Sequence, residues 1–384
     1  MKSGRWWTCG PLVWLCFSLM GRNAAPCQSV RYAGMASGWA GLVPDRVNDS
    51  YAGVRYVPEL FVGTPLSNSW RVDGEAAGNA YATASLAGWH TLDGKVEVYR
   101  CWARLSRPQW EVRAGLQKLN FGSAALLRPL MWFERVDPRD PLQLADGVTG
   151  LLGRYYSLRN VTIWAWLLYG NKTPKGWEVV PTSGAVPELG GRVQVPVPAG
   201  EMALTVHRRV IDLSGTTPPA VASAPRTAAE QRLGLDGKWD LGVALWVELA
   251  LLKRELRTPG MRYEKMVNVG ADYSLGLGSG LHLLGETLWV SSADAFFASG
   301  DQRTFAAGTA SYPVSITSMV SAIVFYDWRN RRWYRFASWR RTLDRWQWYF
   351  LAFWNPEVPQ IYGATSGAPQ FSGKGAQLLV VLNH

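Results

Sequence analysis

Cysteine is scarce in this 384-residue chain, occurring only as Cys9, Cys16, Cys27 and Cys101. The first three fall in an N-terminal stretch that reads as a leader, so the remainder keeps Cys101 alone and no internal disulfide can staple it. Histidine is equally rare: His90, His207, His282 and His384 include no pair at ligand spacing, which gives a metal site no support. No interior segment forms an apolar run of helical-span length. The nearest is Thr304 to Tyr326, free of charge but broken by Gly308 and Pro313, and it reads as two strands around a turn at Tyr312–Val314. Acidic residues are the minority, 29 against 40 basic, yet the arginines are scattered singly along the chain rather than gathered on one face, which argues against nucleic acid. Catalytic motifs are missing too. Gly276-Leu-Gly-Ser-Gly280 lacks the Lys-Ser/Thr of a phosphate cradle, and alternation puts Ser318 and His282 among unlike neighbours, so no hydrolase set forms. Neither an enzymatic reaction nor a cofactor is expected.

The leader is legible from its order. Lys2 and Arg5 precede an uncharged, largely apolar stretch from Trp6 to Met20, and Ala25-Pro26-Cys27 offers small residues for cleavage, leaving Gln28 first. Acylation of Cys27 is the rival reading, with Pro26 a poor match for it. Residues 1–27 are therefore expected to be a signal peptide and 28–384 the mature protein.

What is abundant is alternation. From Lys95 onward, units of about ten residues alternate apolar and polar side chains, then turn, with Trp, Tyr or Phe near their ends. In Leu241 to Leu251 every odd-numbered residue is Leu or Val, while the even set includes Asp240, Trp246 and Glu248. One face toward lipid and one toward a polar lumen is the pattern of a transmembrane antiparallel β-barrel, an all-β fold. Short turns are expected at 106–108, 158–160, 196–199, 236–238, 276–279, 312–314 and 342–344. Longer connections alternate with them at 122–151, 170–189, 212–225, 253–260, 290–302 and 355–373, and only 329–331 is short on that side. Strands at Tyr51–Pro65 and Val30–Leu42 complete the parity and predict about 18 strands, within 16 to 18, in a single barrel domain.

Alternation also assigns an inner face. The strand numbered third by this reading turns Arg100, Trp102 and Arg104 inward, and the next turns Glu111, Arg113 and Gln117 inward against Trp110, Val112, Ala114 and Leu116. Later strands add Arg192, Gln194, Glu201, His207, Arg209, Asp240, Glu248, Asn268, Asp272, Glu286 and Asp327. Charges directed into lipid are costly, so these faces must meet water or protein. The loop at 122–151 carries Leu130-Met-Trp-Phe133, too apolar to dangle in water, and is expected to fold into the barrel or over its mouth. Two readings of its charges stand. Glu134, Asp137, Asp140 and Asp146 could face Arg100, Arg104 and Arg113 as a selective constriction. Alternatively Arg135 and Arg139 pair with those acids and hold a plug. Of the 21 Trp, most suit interfacial girdles, with Trp102, Trp246, Trp333 and Trp339 as lumenal candidates.

Several blocks resemble Gram-negative outer-membrane porin-like proteins: Gly115-Leu-Gln117 followed by Phe121-Gly122, then Asp137-Pro-Arg-Asp140-Pro, with Gly153-Arg-Tyr-Tyr156, Gly190-Gly-Arg-Val-Gln194, Phe353-Trp-Asn-Pro356 and the closing Gly375 to His384. Leu116 and Phe121 stand where such sequences often carry Arg and Trp. The resemblance implies an outer-membrane channel for passive diffusion of small polar or anionic solutes. Its partners would be outer-membrane lipids, the barrel-assembly machinery and further copies of the chain. The alternative is a plugged, non-conducting barrel serving as an anchor or subunit of an envelope complex.

Overall fold

Strands with two unlike faces need alternating side chains, and the chain folds accordingly. In a computed structural model the described residues are 29–86, 91–215, 226–256, 261–298, 300–357 and 371–384, so the expected leader and His90 lie outside them. The strands are β1 (Ser29–Leu42), β2 (Tyr51–Pro65), β3 (Arg71–Ser85), β4 (Thr91–Arg107), β5 (Trp110–Gln117), β6 (Val148–Tyr156), β7 (Thr162–Leu168), β8 (Glu188–Val197) and β9 (Gly200–Asp212). They continue as β10 (Thr227–Asp240), β11 (Ala244–Arg254), β12 (Tyr263–Leu275), β13 (Leu281–Ala293), β14 (Asp301–Ser315), β15 (Ser318–Asp327), β16 (Arg332–Leu343), β17 (Trp346–Trp354) and β18 (Lys374–Asn383). Each pairs antiparallel with its chain neighbours, and β1 also pairs with β18, from Met35 opposite Asn383 to Leu42 opposite Ala376. The ring is closed, so these strands present no open edge. Eighteen strands form the ring, within the expected range of 16 to 18.

Three local expectations are corrected. β3 intervenes before the strand bearing Arg100, which is fourth rather than third. Its alternation is faint because Ala76, Gly78, Ala80, Ala82 and Ala84 leave its outward face without large apolar residues. β10 does not turn at 236–238 but runs on to Asp240, and the chain reverses over Leu241–Val243 with Gly242 at φ 85°. β11 therefore starts at Ala244. The turn placed at Tyr312–Val314 lies instead after Ser315: Pro313 still pairs opposite Met319, and a register shift between Pro313 and Ser315 leaves Val314 as a bulge next to a residue that cannot donate to the ladder.

Short connections gather at one end and longer ones, notably 118–147 and 169–187, start from the other, which in barrels of this kind faces outward. Leu204, Val206, Leu233, Leu245 and Val269 stand exposed on the outer wall, while Glu230, Glu248 and Asn268 are buried inside it. This apolar belt is the face that meets hydrocarbon. Leu249 lies at its middle on β11, so Leu249→Arg should cost about 2–4 kcal/mol in denaturant unfolding from lipid vesicles. A neutral effect would place that face out of lipid.

Candidate functional site

The connection between β5 and β6 does not stay at the rim. From Lys118 to Gly147 it enters the lumen, and most of its side chains are buried. Phe121 packs on Trp166 at 6.1 Å, with the Arg192 guanidinium 5.0 Å from its ring. Gly122 then adopts φ 94°, close against Glu248, where a side chain would collide with that carboxylate. The segment Ala124–Leu127 crosses to the far wall. There Glu248 of β11 accepts the Ala124 N–H at 2.7 Å. Glu286 of β13 accepts those of Ala125, Leu126 and Leu127 at 2.6, 3.1 and 2.5 Å. Asn268 of β12 donates to the Leu127 carbonyl at 2.8 Å.

The Leu130–Phe133 block, expected to need cover, forms the centre of an apolar core inside the barrel. Leu127, Leu130, Trp132 and Phe133 pack against Leu152, Trp166, Leu252 and Leu288 of the wall. At about 1.5–3 kcal/mol per buried side chain, these four contribute roughly 6–12 kcal/mol. The connection 169–187 covers this block. Trp177 Nε1 donates to the Arg128 carbonyl at 2.9 Å, the Gly176 N–H to Glu134 O at 2.9 Å, and Arg135 to Pro174 O at 3.1 Å. Glu178 then ties this second loop to the wall through Arg209 at 2.9 Å and Arg232 at 2.6 Å, and Glu230 and Arg254 extend the network.

The charges pair differently from the constriction reading. Arg104 meets Asp73 at 2.7 Å and Glu111 at 3.4 Å, and Arg113 meets Glu111 at 3.1 Å and lies 4.4 Å over Trp102. Trp102 donates to Glu75 at 2.9 Å. The unread strand β3 supplies Asp73 and Glu75, which is why these arginines serve the wall and not the loop. Arg100 does reach the loop, but at the Ala145 carbonyl, 2.7 Å away. Gln117 is buried and donates to Gly150 O at 3.1 Å. Arg192 is held by Asp236 at 2.6 and 2.8 Å, and Arg209 is enclosed in the Glu178–Glu230 network, so neither lines open space. Within the loop, Glu134 pairs with Arg128 at 2.6 Å and Asp137 with Arg139 at 2.7 Å, and Asp146 pairs with Lys175 of the 169–187 connection at 3.2 Å. Trp333 and Trp339 face outward on β16, with Tyr334, Phe336 and Ser338 on the inner face; Trp246 is lumenal and buried.

One sector stays open. Between the loop and β14–β17 lies a cavity of about 520 Å³. Its wall side carries a row of hydroxyls among Met319, Ile323 and Phe336: register places Ser311 opposite Ser321 and Ser321 opposite Ser338, with the last two hydroxyls 2.7 Å apart. Arg340, next on the same face, reaches the same space and makes no ion pair with a carboxylate among the described residues. Asp140 approaches from the loop; its burial raises its pKa to about 6, against the pull of Leu142 N–H and Arg55. The hydroxyl row, Arg340 and the anchors Glu230, Arg232 and Asp236 were not among the residues singled out. Asp236 falls in an expected turn, and serines in an alternating strand carry no charge to mark them.

No family model and no curated protein sequence matches this chain. Solved structures do. OpdQ of Pseudomonas aeruginosa is similar with a TM-score of 0.58 at 9% identity, over 94% of this chain and 99% of that one. OccK5 (OpdH) of the same organism gives 0.54 at 12% identity over 93% and 97%, and OmpT in trimer form, an outer membrane protein of Vibrio cholerae, gives 0.53 at 9% over 93% and 99%. The chain has the fold of a Gram-negative outer-membrane porin-like barrel. Identity this low carries the fold and leaves the lumenal chemistry to the residues of this barrel.

Glu286 is the anchor whose loss is most telling. Glu286→Ala leaves three N–H groups without an acceptor, at about 1–3 kcal/mol each, so residues 124–127 should leave the wall. New elastase cleavage after Ala124 or Ala125 in the otherwise folded barrel is the expected readout. Unchanged protection would mean that apolar packing alone holds the loop.

Proposed function

We propose that this barrel is a narrow outer-membrane diffusion channel whose route runs off-centre, between the folded-in loop and β14–β17, and favours small polar or anionic solutes. The observation that carries the reading is the change of wall chemistry around the ring. Where the loop packs, inward residues are Trp, Phe, Leu or paired charges; at the cavity Thr309, Ser311, Ser321 and Ser338 stand among Met319, Ile323 and Phe336, beside the guanidinium of Arg340, which makes no ion pair among the described residues. Small hydroxyl groups leave room for water and can exchange hydrogen bonds with a passing solute, and a fixed cation attracts anions.

In a planar bilayer the full chain should give discrete single-channel steps with an anion-favouring reversal potential under a salt gradient. Arg340→Ser should move that potential toward zero. Asp140 supplies a pH test: with its carboxyl titrating near 6, the proton bound below that pH removes one negative charge from the route. Anion preference should therefore rise as pH falls from 7 to 5, and Asp140→Asn should abolish the change. A pH-independent potential in the unaltered protein would remove Asp140 from the route.

The apolar core around Leu127, Leu130, Trp132 and Phe133 favours a second reading, the plugged barrel acting as an anchor or subunit. Silence from the folded chain, with current appearing only after deletion of the loop's inner segment, would select it.

A further inference from the structure

The outer wall carries a charge pattern that neither reading of the lumen uses. On β9–β12 the alternation that buries Arg209, Arg232 and Leu252 inside sends Arg208, Gln231, Lys253 and Lys265 to the lipid side. Register lines them up: Arg208 lies opposite Gln231, Gln231 opposite Lys253, and Lys253 opposite Tyr263, two residues before Lys265. All four stand within a few residues of the long-loop ends of their strands, immediately above the apolar belt of Val206, Leu233, Leu251 and Val267. The acids of this face, Asp212 and Glu255, are at or beyond the strand ends; Glu255 receives a long bond from Gln231 at 3.5 Å.

Arg208 and Lys253 are exposed and make no ion pair among the described residues. Lys265 donates to the Phe296 carbonyl at 2.7 Å and lies 5.4 Å from that ring, which leaves two of its N–H bonds unused. Phe297 packs on Phe296 at 4.8 Å in the connection beyond β13 and is 94% exposed. A cation on a lipid-facing wall is stable only where an anion or water meets it, and three of them share one arc at the headgroup level.

We propose that this arc binds the phosphate groups of an anionic lipid of the outer leaflet, with Arg208, Lys253 and Lys265 donating to the phosphates and Val206, Leu233, Leu251 and Val267 below them against its acyl chains. The site rests on the barrel's membrane orientation and is independent of whether the lumen conducts.

The test uses the full chain folded in zwitterionic detergent, titrated with bis-phosphorylated lipid A, with bound lipid counted by native mass spectrometry. Retention of the lipid is expected. The triple change Arg208→Gln, Lys253→Gln, Lys265→Gln should weaken retention about 100-fold, about fivefold per charge, with circular dichroism and electrical behaviour unaltered. The single change Lys253→Gln should lose about fivefold and serves if the triple variant does not fold. Retention that is equal in these variants, or equal for the dephosphorylated lipid, overturns the proposal. So does complete displacement by millimolar inorganic phosphate, which would assign the arc to free anions.

Discussion

A backbone segment that crosses a lumen has N–H groups with no ladder to receive them, and each must find an acceptor or stay in water. In this barrel Glu286 and Glu248 provide those acceptors, and much of the interior follows from their placement. They lie on β13 and β11 with Asn268 of β12 between, and register brings Glu248 directly opposite Asn268. A carboxylate can accept several hydrogen bonds at once, which Glu286 does for three successive residues. With 124–127 pinned to the wall opposite the loop's origin, Leu130–Phe133 must fill the space beside β9 and β10. Gly234 of β10 has no side chain there, and a Cβ at that position would lie 2.7 Å from Leu130.

The paired charges give this packing its geometry more than its stability. Taking ions out of water costs about as much as their attraction returns, so the Arg209–Glu230–Arg232–Glu178 cluster is weak evidence of stabilisation. Its effect is directional. Glu178 belongs to the second loop and the others to β9 and β10, so only one placement of that loop satisfies every charge. The cluster acts as a latch on the 169–187 connection, which in turn lies across Arg128 and Glu134 of the first.

Architecture was largely legible because it depends on period and parity, and both survive in a single sequence. The closing strand, the strand at Tyr51–Pro65 and the inward set Glu248, Asn268 and Glu286 all follow from alternation. Burial of the Leu130–Phe133 block followed from its apolarity. Partners were harder to read, since they depend on which strands touch. Arg104 was matched to loop acids because β3, with few large outward residues to mark its period, hid Asp73 and Glu75. Arg192 reads as lining the pore because its partner Asp236 falls in an apparent turn. Trp333 and Trp339 were placed inside through neighbouring arginines, although Arg335 and Arg341 of the same strand also face outward.

The open sector and the packed one have a common cause. Were the loop anchored near its origin, it would leave a wide central lumen; anchored at β11–β13, it covers that span and returns toward β4, where Arg100 holds Ala145. What it cannot reach is decided by the wall. At Thr309, Ser311, Ser321 and Ser338 the inward side chains are too small to meet the loop, whereas a single Phe or Leu in place of Ser321 or Ser338 would extend the apolar core, which already includes Phe305 and Phe325 of the same strands, into the gap. The size of the cavity is thus set by a few serines opposite one another in register, and its polarity by Arg340 next to them. Selection among solutes in this barrel belongs to that strip of wall, with the loop as its opposing face.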